Sequence, residues 1–251
     1  MISLKSKREI EIMQEAAEIL KQVFVDVEPA VREGVTTLDL DKISEKTIRD
    51  AGGLPAFKGY RGFPGTSCIS VNEEVVHGIP GSKKLKNGDL VSVDCGVALK
   101  GYFVDAARTW LVGPADREKQ RLIDTARHSF QAGLNRYLPG SRIGDLSEAI
   151  QKCIEEQGYD IVRDFVGHGI GRSIHEEPQV PNYGKAGRGP KIEIGLCLAI
   201  EPMVTAGHHA VRVLEDGWTV ITQDGSLSSH YEDTVAFTEA GVINLTGNAV
   251  P

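Results

Sequence analysis

The chain has 251 residues, of which 41% are hydrophobic and 25% charged; this ordinary globular composition can bury a sizeable core. With a formal net charge of -7 and basic residues clustered only as Lys83, Lys84 and Lys86, it lacks the electrostatic footprint of a nucleic-acid binder, so no RNA or DNA substrate is expected. The four cysteines, Cys68, Cys95, Cys153 and Cys197, form no Cys-x-x-Cys pair, and no unbroken apolar run suggests a signal peptide or membrane span, so a reduced, cytoplasmic setting is expected.

In chain order, Ser6-x-x-Glu9 has the pattern of a capping box. Ile10, Met13, Ala17, Leu20 and Phe24 then recur at helical spacing and predict a long amphipathic helix. A second helix should begin near Thr36 or Thr37, turn Leu40, Ile43 and Ile48 inward, and stop at Gly52-Gly53. Glycine-rich loops and short strands follow.

The pattern then repeats. Gly34-x4-Asp39-Leu40 followed by Gly52 matches Gly140-x4-Asp145-Leu146 followed by Gly158. His77-Gly78-Ile79 returns as His168-Gly169-Ile170, and Gly88-x5-Asp94 returns as Gly195-x5-Glu201. Chance could produce such short matches, but duplication accounts for them together. The expectation is a single catalytic domain over 1–251, with pseudo-symmetric halves of about 1–118 and 119–251, α/β in class, whose polar strand ends converge.

Leu90–Asp94 reads as a buried strand, and Lys100-Gly101 as a two-residue turn into Tyr102–Asp105. If Leu99 faces Tyr102, then Gly96 faces Asp105, and Asp94 and Asp105 become diagonal neighbours on one face. Two carboxylates beside Val91, Val93 and Val104 would repel each other and lose solvation, a penalty that a divalent cation removes. The later segments add His168, Glu201 and Glu232. Four carboxylates and one imidazole exceed one tetrahedral zinc and suit two ions; Mn, Fe, Co or Zn are all chemically admissible.

At Asp94-x10-Asp105, His168-Gly169-Ile170-Gly171-x3-His175-Glu176-Glu177-Pro178, Glu201-Pro202-Met203 and Tyr231-Glu232, the sequence closely resembles the type I methionine aminopeptidases. Tyr60-Arg61-Gly62-Phe63-Pro64 and Cys68-Ile69-Ser70-Val71-Asn72 extend the match nearly end to end. The resemblance implies a pita-bread α+β fold, two pseudo-symmetric helix-plus-strand halves around a central antiparallel sheet. It implies Asp94 as a ligand of one metal ion, His168 and Glu201 of the other, and Asp105 and Glu232 as bridges. It makes His77, His175 and Glu201 the catalytic groups, with His175 at the scissile carbonyl, His77 near the scissile amide and Glu201 as proton shuttle.

The same resemblance lines a pocket for the first side chain with Tyr60, Phe63, Cys68, Ile174 and Trp218. Ile174 stands where many relatives carry a bulkier aromatic residue, and Phe63 where tyrosine is common. The implied reaction is removal of the initiator methionine from nascent polypeptides with a small second residue, by a hydroxide activated between two metal ions. Transient ribosome contact, a monomeric state and a monovalent cation near Asn72 and Ser228 belong to the same expectation. An Xaa-Pro aminopeptidase or dipeptidase on this fold is the first rival, and a pita-bread binding module without catalysis the second.

Overall fold

The computed structural model describes residues 2–247. Helix α1, Lys7–Val27, starts where Glu9 accepts hydrogen bonds from both the backbone N–H and the hydroxyl of Ser6, at 2.8 Å each. Such an end stabilises a helix by about 1 kcal/mol. Its buried stripe includes Ile10, Met13, Ala17, Leu20 and Phe24, and each large apolar side chain withdrawn from water adds roughly 1.5–3 kcal/mol. Helix α2, Thr37–Asp50, opens with a reciprocal box: Asp39 N–H donates to the Thr36 hydroxyl and Thr36 N–H to the Asp39 carboxylate, both at 3.1 Å. Leu40 and Ile48 are fully buried, and Ile43 packs at the core's edge.

Helices α3, Arg117–Leu134, and α4, Ile143–Glu156, form a second pair. The correspondence with the first pair reaches the backbone. Arg142 N–H donates to Asp145 at the start of α4, as Thr36 does to Asp39 at the start of α2. Isolated bridges join Thr36 to Lys84 and Arg142 to Lys191. Gly88 and Gly195 both take φ 91°, a left-handed conformation that glycine alone adopts without a Cβ penalty.

Both helix pairs pack on one face of a nine-stranded sheet. In chain order its strands are β1 (Leu54–Pro55), β2 (Ser67–Val71), β3 (Leu90–Leu99), β4 (Tyr102–Leu111), β5 (Gly167–Gly169), β6 (Glu176–Val180), β7 (Cys197–Ile200), β8 (Glu232–Thr238) and β9 (Gly241–Asn244). The spatial order is β1-β3-β4-β8-β7-β5-β6, with β2 also pairing β3 and β9 pairing β8, all antiparallel. Helix α1 packs on β3 and β4, burying Val91, Val93 and Val104 in one core, while Leu122, Phe130, Leu146 and Ile150 of α3 and α4 close a second. One face of the sheet is left for chemistry at its centre, where β4 meets β8.

Candidate metal centre

The register places all five expected ligands on one face. Across the β3–β4 ladder Asp94 is opposite Ala107 and Gly96 opposite Asp105. Ala107 is in turn opposite Glu232 of β8, so Asp94, Ala107 and Glu232 form a row, with Asp105 two residues along on the same side. Two residues past Glu232, Thr234 pairs with Ala199 of β7, and Ala199 pairs with His168 of β5. Glu201 follows Ala199 by two positions, just beyond the strand. The intervening Gly96, Ala107 and Ala199 are small, which leaves room for the long acidic side chains between them.

Backbone anchors make this face rigid. The Thr234 hydroxyl accepts from Asp105 N–H at 2.9 Å and donates to Asp105 C=O at 2.8 Å, tying β4 to β8 beside the cluster. Behind it, Arg108 donates to the Glu232 carbonyl and to the Asp233 carboxylate, both at 2.7 Å.

Asp94, Asp105, His168 and Glu232 are all buried. Burial first, and then the neighbouring carboxylates, drives Asp94 and Glu232 well above the usual carboxylate range; burial, and then Asp105, does the same to Glu201. Burial alone raises Asp105, against the hydrogen bond it receives from Asp94. His168 is pulled down to about 3 by burial and the nearby His175, which leaves its imidazole neutral. One oxygen each of Asp94, Asp105 and Glu232 has no hydrogen-bond partner.

Orphaned buried acceptors are costly, at roughly 1–3 kcal/mol each, and demand an explanation. Donor atoms of Asp105, His168 and Glu232 lie within 4.8 Å of one another, and His168 Nε2 lies 3.6 Å from Glu201 Oε1. A set of carboxylates with one neutral imidazole is the donor set of a divalent cation, and a cation would remove both the repulsion and the orphaned acceptors. The residues fit a metal.

The cluster forms the floor of a cavity of about 170 Å³ walled by Tyr60, Phe63, Cys68, His77, His175 and Trp218. Cys68 stands opposite Asp94 in the β2–β3 ladder, which brings it to the cavity. Phe63 meets Trp218 edge-on at 5.1 Å, and Trp218 meets His77 edge-on at 6.2 Å. His175 Nδ1 and the Tyr60 hydroxyl are 3.0 Å apart. His77 sits at φ 61°, and burial together with His175 lowers its pKa to about 4.

Ile174 is not part of this wall. It is buried beside the wall on the same sheet face, with its Cδ1 3.2 Å from where a side chain on Gly96 would begin. Three residues that sequence reasoning passed over belong to the site's surroundings. Phe57 and Arg61 line the cavity, and buried His230 lies with Nε2 3.8 Å from Glu201 Oε2. The segment His230–Glu232 was legible only as a carrier of Glu232, because nothing local reveals that pairing with Met203 turns His230 towards Glu201.

Other features compete less well. Asp160, His208 and His209 also gather donor atoms within 4.8 Å, but they are partly exposed and Asp160 is already hydrogen-bonded to His209 Nδ1 at 2.8 Å. A larger cavity of about 480 Å³ between β4 and α3 is lined by Arg108 and Arg127, whose charges are paired with Asp233 and Asp124. All four cysteines are free, and no helix among the described residues is long and apolar enough to cross a membrane.

This fold, with a buried carboxylate-rich cluster at its centre, defines a class of metal-dependent peptidase. The model of metallopeptidase family M24 matches residues 11–239, and the chain belongs to that family. It is 50% identical over 246 residues to a methionine aminopeptidase of Clostridium perfringens, covering 98% of this chain and 99% of that one, and 45% identical to methionine aminopeptidase 1 of Bacillus subtilis with the same coverage. The crystal structure of a methionine aminopeptidase from Thermotoga maritima superposes with a TM-score of 0.96 at 42% identity, over 99% of this chain and all of that one. Within M24 the chain belongs to the methionine aminopeptidases, with the pita-bread fold of that family and the length of type I.

Proposed function

We propose that the chain removes the N-terminal methionine from nascent polypeptides whose second residue is small, using two divalent ions held by Asp94, Asp105, His168, Glu201 and Glu232. The observation that carries this reading is the convergence of those five side chains on one sheet face beneath a small aromatic-walled cavity. Asp94 would hold one ion and His168 with Glu201 the other, while Asp105 and Glu232 would be shared. The ions, when bound, supply Lewis acidity and activation of water.

The side chains of the protein do the rest. Glu201 can take a proton at a carboxylate oxygen and deliver it to the departing amine. If Tyr60 donates to His175 Nδ1, the proton of that ring resides on Nε2, which can then donate to the scissile carbonyl oxygen as negative charge develops there. His77, pinned edge-on between Trp218 and Phe165, can hold the second residue's amide. Phe63, Trp218 and Cys68 offer an apolar slot that an unbranched, polarisable methionine side chain fills well, with Ile174 buried beside it.

A single catalytic domain made of halves 1–118 and 119–251, acting as a cytoplasmic monomer in passing contact with the ribosome, accords with this role. Its test is a peptide panel on chelator-treated protein resupplied with Mn, Fe, Co or Zn. Met-Ala-Ser should be cleaved only after metal addition, and a preference for Ala-Pro-Ala would replace this reading with an Xaa-Pro peptidase.

A further inference from the structure

His230 is the anomaly of the site. Its ring is 1% exposed, yet neither Nδ1 nor Nε2 has a hydrogen-bond partner. An imidazole is always a donor at one nitrogen or both, so a buried ring whose two nitrogens meet no protein partner is a strong polar group in want of one. The nearest carboxylate oxygen is Oε2 of Glu201, 3.8 Å from Nε2.

The backbone that carries the ring is held firmly. His230 N–H donates to the Thr109 hydroxyl at 3.0 Å, and that hydroxyl lies 2.8 Å from the His230 carbonyl and 2.7 Å from Ser92 Oγ. On its other side, the strand Ser228–His230 pairs with Met203–Thr205, Met203 opposite His230. Since Met203 comes only two residues after Glu201, the pairing that fixes His230 also fixes its distance from that carboxylate.

Glu201 thus lies between two imidazoles: His168 Nε2 is 3.6 Å from Oε1, and His230 Nε2 is 3.8 Å from Oε2. Both separations exceed hydrogen-bonding distance by well under an ångström, so a small rotation of the Glu201 carboxylate closes the second one. The two oxygens have different neighbours and can have different duties. Oε1 faces the expected ligand His168; Oε2 faces a ring with an N–H to spare.

We propose that His230 is a positioning residue, donating from Nε2 to Oε2 of Glu201 in the metal-loaded enzyme and so fixing the orientation of that carboxylate. This rests on Glu201 being a metal ligand and proton carrier. Groups that hydrogen-bond to metal-bound carboxylates fix their geometry, and their loss typically costs about 10–100-fold in activity or metal affinity. The donor, rather than the bulk of the ring, is what matters.

The test uses the full chain with Co restored after chelation, comparing His230→Gln, which keeps an N–H donor of similar reach, with His230→Leu and His230→Asn, which lack a donor or cannot reach. Leucine and asparagine should lower kcat on Met-Ala-Ser by about 10–100-fold with KM changed less than about two-fold, whereas glutamine should restore most of kcat. The visible absorption of bound Co should shift in the leucine and asparagine variants and stay close to the parent spectrum in the glutamine variant. Two variants that lack the contact, one apolar and one polar, leave a folded protein to measure if either fails to fold.

A folded leucine or asparagine variant with unchanged kcat and Co spectrum would overturn the proposal, as would a glutamine variant no better than leucine. Glu201→Gln, measured alongside, separates the two levels of argument. Full turnover there removes the role of Glu201 itself, whereas an inactive Glu201→Gln beside an active His230→Leu removes only the role of His230.

Discussion

Asp94 and Asp105 are offset by two positions across the β3–β4 ladder, Asp94 opposite Ala107 and Asp105 opposite Gly96, so two buried carboxylates share a single sheet face with no basic residue between them. His168, Glu201 and Glu232, the other three expected ligands, join them through β5, β7 and β8.

Chelated protein should be less stable than metal-loaded protein, because only the loaded form neutralises the desolvated carboxylates. A cation at 100 times its dissociation constant adds about 2.7 kcal/mol. Asp105→Asn should raise the melting temperature of chelated protein, by deleting one repelling charge, and abolish both the metal-induced rise and peptidase activity. Thermal melts with and without Mn check this; a metal-induced rise of parental size in the variant would contradict the ligand assignment.

Arg108 and Asp233 form a fully buried ion pair, 2.7 Å apart, that also holds the Glu232 carbonyl. Breaking one side strands the other charge, so Arg108→Ala should destabilise by about 3–5 kcal/mol. Arg108→Met with Asp233→Leu should lose less than Arg108→Ala, since neither charge is left unpaired. Urea denaturation of the two variants measures the difference.

Gly78 follows His77 at a point where a Cβ would lie 2.2 Å from the Ile69 carbonyl oxygen, in a segment where Ile69 N–H also donates to the Gly78 carbonyl. Gly78→Ala must therefore push His77 off the cavity wall. A stability loss of roughly 1–3 kcal/mol is expected, together with a fall in kcat larger than such a loss produces in a protein that remains folded. Circular dichroism and tripeptide turnover at one temperature separate the two effects.

Glu9 is held at a pKa of about 2, below its ordinary 4.5, chiefly by the Ser6 backbone N–H and the Tyr102 hydroxyl, with smaller help from Ser6 Oγ and Arg172. Because the folded value is the lower one, the stabilisation is complete above about pH 4.5 and is lost as pH falls towards 2. The urea midpoints of the parent and Glu9→Gln should differ most above pH 4.5 and converge near pH 2. A gap that stays constant across that window would show that Glu9 acts by shape and not by charge.

Much of the local architecture was legible because it depends on short-range rules. The Ser6/Glu9 pair predicted where the first helix begins, the second was expected near Thr36 or Thr37 and starts at Thr37, and the turn at Lys100-Gly101 fixed a register that the structure reproduces from Leu99↔Tyr102 to Asp94↔Ala107. The pocket wall was less legible. Ile174 sits next to His175 in sequence, but it is buried over Gly96 beside the cavity and does not line it, while Phe57 and Arg61 reach the cavity from a loop without periodicity.

The sequence by itself determined the donor chemistry and the strands that carry it, because carboxylates embedded in apolar strand sequence are intelligible only with a counter-charge, and a two-residue turn dictates which neighbours face each other. Tertiary structure alone decided that β8 lies between β4 and β7, which aligns Glu232 with Asp94 and sets His168 and Glu201 on the same face. It also turned His230 towards Glu201. Pairings between strands more than a hundred residues apart are set by how the two helix-backed halves bury their apolar faces together, and that competition is settled over the whole core and leaves no local mark in the chain.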